Sequence, residues 1–251
     1  MSRTNVFESA YAYLRVARVA PGLAAAVQST LASLQATQEI KGLVLDLRFA
    51  DGEDFAEAGR TADLFVNRQQ TLLAWGDEHV EATLKTNALT LPVALLVNSE
   101  TRAAAEALAA TFHALRLGLL LGSPTAGQAS VFKEFSLSTG QRLRVAVAPV
   151  QVSGDTPVPL SGLVPDLAIV VPPEEERAYL EDPFRAGSGL RPAAGPASPE
   201  DLVRLHREAL DPSAARPRRP APPVAPQVRD PALLRALDLL KGLALVGLRQ
   251  P

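Results

Sequence analysis

Apolar positions along the first 170 residues recur with two alternating periods, and each change of period marks a new element. Tyr11 to Val19 reads as a strand. From Pro21 to Gln35, an Ala-rich stretch puts Leu23, Val27, Leu31 and Leu34 on one face at helical spacing. Leu43-Val-Leu-Asp-Leu47 is a near-continuous apolar run, as expected of a strand covered on both faces. Ala56 to Val66 predicts a helix and Val93 to Val97 a second buried strand. Glu100 to Leu115 predicts an Ala-rich helix, followed by a short strand at Leu117 to Leu121. Phe132 to Leu137 and Gln141 to Pro149 alternate around Ser138-Thr-Gly140, a hairpin pattern. Leu167 to Val171 predicts the closing strand. Strands alternating with helices imply a layered α/β core.

The pattern changes after residue 176. Twelve of the 21 prolines lie beyond it, and 185–228 reads as a linker, because proline fixes φ and removes a donor. One short helix is expected inside it, capped by Ser198 and carrying Leu202, Leu205 and Leu210. Asp230 and Pro231 then open a helix whose apolar face is Leu233, Leu234, Leu237, Leu240 and Ala244. The expected organisation is an α/β core over 1–176, a Pro-rich linker over 177–228, and a C-terminal helix over 229–251 that packs on the core or on a partner.

Charge and composition narrow the chemistry. The whole chain carries a net charge of −2, without the basic excess of a nucleic-acid binder, so no nucleic-acid partner is expected. Residues 1–176 hold 13 basic and 19 acidic side chains, a net of −6. The remainder holds 12 and 8, a net of +4. With no Cys there is no disulfide, thiolate metal site or Cys nucleophile. His79, His113 and His206 are too dispersed to suggest a His-rich metal site, and no cofactor is expected. The run Leu115 to Leu121 is too short to span a bilayer, which takes about 20 apolar residues. Met1 to Glu8 shows no export signal, and the compartment stays open.

Three segments are more specific together than apart. The first is Lys41-Gly-Leu-Val-Leu-Asp-Leu-Arg48, with Asp51-Gly52 and Ala62-Asp-Leu-Phe65 behind it. The second is Pro92-Val-Ala-Leu-Leu-Val-Asn98, running into Thr101-Arg-Ala-Ala-Ala-Glu106. The third is Gly122-Ser-Pro-Thr-Ala-Gly-Gln128, with Gly162-Leu-Val-Pro-Asp166 downstream. In this order and spacing the chain resembles the C-terminal processing peptidases, or tail-specific proteases. The resemblance covers roughly Tyr11 to Val171 and the Asp-Pro helix from Asp230, with no separate PDZ-like module visible. It implies an α/β core related to the Clp-protease and crotonase folds. It also implies an extracytoplasmic setting if a signal has been removed, and a cleft for unfolded or C-terminal peptide segments.

The family's chemistry pairs a Ser nucleophile with a Lys general base. A hydroxyl attacks only when a nearby base takes its proton, and lysine serves only when burial keeps it neutral. On the matching positions, the nucleophile stands here as Ala103 and the base as Gln128. The Gln that orients the base in many members is Phe132. The family's Asn-x-Gly-Gly turn reads Ala50-Asp-Gly-Glu53, so Gly52 and the amide of Ala104 are the candidate oxyanion remnant. The resemblance therefore implies a catalytically degenerate member that acts as a binding, scaffolding or regulatory module.

Two other functions compete with that reading. An active serine hydrolase would need Ser99 or Ser130 with a non-Lys base; turn serines facing solvent are the more common explanation of both. A crotonase-like enzyme would use the remnant hole on acyl thioesters, an analogy at the level of the fold alone. Asp46 is expected to be satisfied by Arg48 or backbone N–H groups, and Glu106 to sit in a first helical turn where the dipole favours a carboxylate. His113 is expected to be a satisfied helix residue. Arg216, Arg218 and Arg219 read as solvated linker charges.

Overall fold

A computed structural model describes residues 1–185 and 228–246. Its elements are β1 (Arg3–Phe7), β2 (Tyr11–Arg15), β3 (Arg18–Val19), α1 (Leu23–Thr37), β4 (Gly42–Asp46), β5 (Asp51–Gly52) and α2 (Phe55–Asp63). There follow β6 (Gln70–Trp75), β7 (Glu78–Ala82), β8 (Val93–Val97), α3 (Ala103–Ala114), β9 (Leu119–Gly122), β10 (Ser130–Ser136) and β11 (Arg142–Val152). The last are β12 (Thr156–Pro157), β13 (Leu167–Ala168), α4 (Pro173–Glu181) and α5 (Pro231–Val246).

Six strands form the main sheet in the order β1-β2-β4-β8-β9-β13. β1 is antiparallel to β2, and the other neighbours are parallel. The apolar runs of β4 and β8 are buried along their whole length, as a parallel sheet covered on both faces requires. Leu43, Leu45 and Leu47 enter the core cluster with Leu23, Val27 and Leu31 of α1 and Leu108 and Phe112 of α3. α5 packs on β4 at Gly42. A Cβ there would stand 3.1 Å from Leu240 Cδ2, a tight contact that would make the Leu240 and Tyr11 side chains give by a few tenths of an ångström. A second sheet runs β10-β11-β6-β7, and β3 pairs with β5 alone.

Two compact units result. One is Met1–Val170 with the chain from Ala232 onwards, and the other is Val171–Pro231, which contains α4. The expected helix at Ser198 and the arginines 216, 218 and 219 lie outside the described residues.

Several expectations need correction. The single strand from Tyr11 to Val19 is two strands. β2 follows β4 only as far as Arg15↔Asp46, and β3 then turns to pair with β5. The closing strand is two residues long rather than five. β1 and the β6–β7 hairpin were not anticipated.

The buried Asp46–Arg48 pair at the end of β4 is closely joined, whereas Arg15 Nε on β2 is buried without a hydrogen-bond partner among the described residues. Arg48 donates to Asp46 through Nη2 (2.6 Å), Nε (3.0 Å) and its backbone N–H (3.0 Å), and the Tyr13 hydroxyl donates at 2.7 Å. Asp46 and Arg48 are 0% and 1% exposed, so this pairing is what makes them tolerable inside the sheet. The expectation for Asp46 is met.

Candidate functional site

The polypeptide turns sharply between β8 and α3, and two polar side chains and one backbone N–H fix the turn. Asn98 Oδ1 accepts the N–H groups of Phe49 (3.0 Å) and Glu100 (3.1 Å). The Thr101 hydroxyl donates to the Leu47 carbonyl at 2.8 Å and accepts the Asn98 N–H at 3.0 Å. Arg102 N–H then donates to the Ala50 carbonyl at 3.0 Å, tying the segment before Gly52 to the start of α3. The next residue, Ala103, has φ +53°, a left-handed conformation that L-residues avoid at a cost of about 1 kcal/mol. Strain of this kind persists only where the surroundings over-determine the backbone.

Glu106 stands one turn into α3 and is fully buried. Its placement agrees with expectation, but its carboxylate does more than answer the helix dipole. Oε1 accepts the Thr125 hydroxyl and the Gly127 N–H (2.8 Å), and Oε2 accepts the Gln128 N–H (2.7 Å). Thr125 Oγ1 in turn accepts the Leu163 N–H at 2.7 Å. Gly127, at φ +68°, backs onto the Leu160 carbonyl so closely that no side chain fits. The turn Thr125–Gln128 is thus clamped from both sides.

Beside the start of α3 opens a cleft of about 370 Å³. Ala103, Ser130, Phe132, Phe55 and Trp75 line it, with Glu53, Glu134 and Arg144. Ala103 and Phe132, two positions chosen from sequence, therefore share one wall. The third, Gln128, does not join them. Its side chain is exposed and outside the cleft lining, while its backbone N–H is held by Glu106. Gly52 and Ala104 are buried, on β5 and in the first turn of α3. The Ala104 N–H makes no backbone hydrogen bond among the described residues.

Ser99 is exposed, as expected of a turn serine. Ser130 is not solvent-facing, which corrects the sequence reading. It begins β10, is 5% exposed, and lines the cleft. Its hydroxyl has no hydrogen-bond partner among the described residues. No lysine lines the cleft.

Charge at the cleft mouth was not foreseen. Arg144 Nη2 meets Glu53 Oε1 at 3.2 Å, and its guanidinium sits 4.3 Å from the centre of the Phe132 ring. One arginine thus joins Glu53 and Phe132, the two residues that the sequence reading singled out as unlike the expected Gly and Gln. His113, on the far end of α3, is 3.3 Å from Asp166, whose other oxygen accepts the Leu120 N–H. Among the described residues, no cluster of three His, Asp or Glu is arranged to hold a metal, and no helix is long and apolar enough to cross a membrane.

Comparison with known proteins points one way. The sequence model of peptidase family S41 matches residues 10–169. The carboxyl-terminal-processing peptidase 2 of Arabidopsis thaliana chloroplasts is 27% identical over 183 residues, 69% of this chain and 35% of that one. The carboxy-terminal-processing protease of Bartonella bacilliformis is 26% identical over 176 residues, 66% of this chain and 41% of that one. The chain thus spans between a third and a half of these relatives' length. Among solved structures, a photosystem II D1 C-terminal processing protease superposes with a TM-score of 0.50 at 28% identity, over 63% of this chain and 42% of that one. A Parabacteroides merdae protein gives a TM-score of 0.57 at 17% identity, over 70% and 59%, a likeness of fold alone.

Proposed function

The chain belongs to peptidase family S41, and from that premise we propose that it is a non-catalytic member whose cleft binds peptide segments without cutting them. One observation carries the reading. The strained residue that opens α3 into the cleft is Ala103, and no lysine accompanies it. A methyl group cannot attack a carbonyl. The Gln128 amide cannot take a proton near neutral pH, and its side chain is not in the cleft. Loss of a nucleophile in an unrelated serine protease costs about 10⁶ in rate.

The cleft nevertheless keeps the means to hold a peptide. Among the described residues β10 pairs with β11 alone, so its other edge, beside Phe132, is open to strand addition. An extended segment added to that edge gains main-chain hydrogen bonds while passing Ala103. This supports a binding, scaffolding or regulatory role, with unfolded or C-terminal protein segments as partners. The Ala104 amide is the candidate donor to a carbonyl or carboxylate oxygen.

Two measurements test the proposal. Casein should survive incubation with the chain, and extended peptides with apolar C-termini should bind it in a fluorescence titration. Cleavage of casein, or flat titrations up to millimolar peptide, overturns the reading. A second reading rests on Ser130, whose unpartnered hydroxyl lines the same cleft. If it is a nucleophile, a fluorophosphonate will label it; no basic side chain in the cleft lining other than Arg144 is present to activate it.

A further inference from the structure

The cleft does not end at Trp75. A second chamber of about 430 Å³ adjoins it and shares Glu53, Phe55 and Trp75 with it. The two make one groove that starts at Ala103 and reaches Glu78 on the β6–β7 hairpin.

Its walls have a definite chemistry. The carboxylates lining the groove are Glu53, Asp54, Glu78 and Glu134, against two cations, Arg18 and Arg144. Both cations are engaged, Arg144 with Glu53 and Arg18 with Asp51 at 4.0 Å. Glu134 faces Arg142 at 3.5 Å, and Asp54 caps α2 by accepting the Glu57 N–H at 2.8 Å. Glu78 alone of the four has no ion pair or hydrogen bond among the described residues. It stands directly across the hairpin from Trp75, so their Cβ atoms are about 5 Å apart on one face. The Trp75 ring packs on Phe55 with centroids 5.8 Å apart, which fixes the aromatic wall.

The protein shows at its other end what such a wall accepts. Arg144 lies over the Phe132 ring and against the Glu53 carboxylate: one guanidinium, one aromatic face, one acid. Trp75 and Glu78 offer the same pair of groups with no cation between them. Trp is the strongest aromatic partner for a cation. The Ser130 hydroxyl, in the adjoining cleft, adds a polar group that an extended segment passing Ala103 would meet.

We propose that this groove selects extended peptide segments carrying an arginine or lysine, whose cationic side chain is seated between Trp75 and Glu78. The inference rests on the reading of the cleft as a peptide site, and it adds the class of peptide. An acidic segment would meet uncompensated carboxylate and be rejected. The preference is electrostatic in part and shrinks with salt, since Glu78 faces water.

The test uses the full chain and three labelled ten-residue peptides with one apolar C-terminus, differing at one position as Arg, its neutral isostere citrulline, or Glu. At low salt the Arg peptide should bind about tenfold more tightly than the citrulline peptide. The Glu peptide should bind more weakly than either. Glu78→Gln, a change on an exposed hairpin, should bring Arg and citrulline together while leaving citrulline binding as it was. Equal affinity for Arg and citrulline overturns the selectivity and leaves the peptide site standing. An Arg preference that survives Glu78→Gln overturns the seat. No binding by any of the three overturns both the seat and the peptide site.

Discussion

The backbone N–H of Gln128 ends on the carboxylate of Glu106 at 2.7 Å. Through that bond, and those from Thr125 and Gly127, a helix that begins at Ala103 holds a turn some 20 residues downstream. In a peptidase of this family the two segments would carry nucleophile and base. On the proposed reading those positions are Ala103 and Gln128, and the brace joins them here.

Removing the brace should therefore loosen the turn without unfolding the sheet. Glu106→Ala leaves one buried donor, the Thr125 hydroxyl, and two part-buried N–H groups without an acceptor, the buried one worth about 1–3 kcal/mol of desolvation. We expect a net loss of about 3 kcal/mol by urea unfolding. Amide exchange at Gly127 and Gln128 should accelerate well beyond that at Leu95 or Leu96 of β8. Uniform acceleration would show that Glu106 serves global stability only.

Asp46 predicts a larger effect. Its carboxylate meets the Arg48 guanidinium at 2.6 Å, and both side chains are buried. Asp46→Ala strands a buried guanidinium, which costs about 3–5 kcal/mol. A loss below about 1 kcal/mol would mean that water reaches Arg48.

α5 is tied to the β1–β2 turn by Lys241, whose Nζ lies 2.8 Å from Glu8 Oε1. The hydrogen bond to Glu8, with a further one to Asp238, raises the Lys241 pKa above the ordinary lysine value, against the opposing effect of burial. A raised folded pKa means the contact is fully stabilising below about pH 10.4 and is lost as pH climbs through the folded value. The melting temperature of the unaltered chain should thus fall faster between pH 9.5 and 11.5 (about one unit either side of that range) than that of Lys241→Met. Parallel curves would remove Lys241 from the docking of α5.

These predictions separate what was legible in the sequence from what was not. The parallel strands and α1 were legible because their burial is set by local pattern: Leu43 to Leu47 is apolar throughout, and Leu23, Val27 and Leu31 recur at helical spacing. The β6–β7 hairpin was not, although Gly76-Asp77 is a turn signal, because Glu78 and Glu81 give β7 a polar face that reads as loop. At the site, Ala103 and Phe132 could be placed together by resemblance. The Glu106 clamp and the Arg144–Glu53 pair join residues 19 to 91 positions apart, and no local pattern records such contacts. The exposure of the Gln128 side chain was equally invisible, since no local pattern records it.

That exposure makes the last prediction sharp. Ala103→Ser with Gln128→Lys restores both chemical groups, yet it does not restore the environment that makes lysine a base. A lysine at the exposed position 128 keeps a pKa near 10.4 and is almost wholly protonated at pH 7. The doubly altered chain should therefore cut casein weakly or not at all at neutral pH. Any turnover should rise about tenfold per pH unit towards the lysine range, since the active fraction is the deprotonated one. Adding Phe132→Gln removes the ring beneath Arg144 and supplies an amide able to orient the new lysine. That triple variant should be more active near neutrality than the double one. Vigorous cleavage by the double variant at pH 7, with a flat profile above it, would show that residue 128 turns into the cleft and is desolvated there.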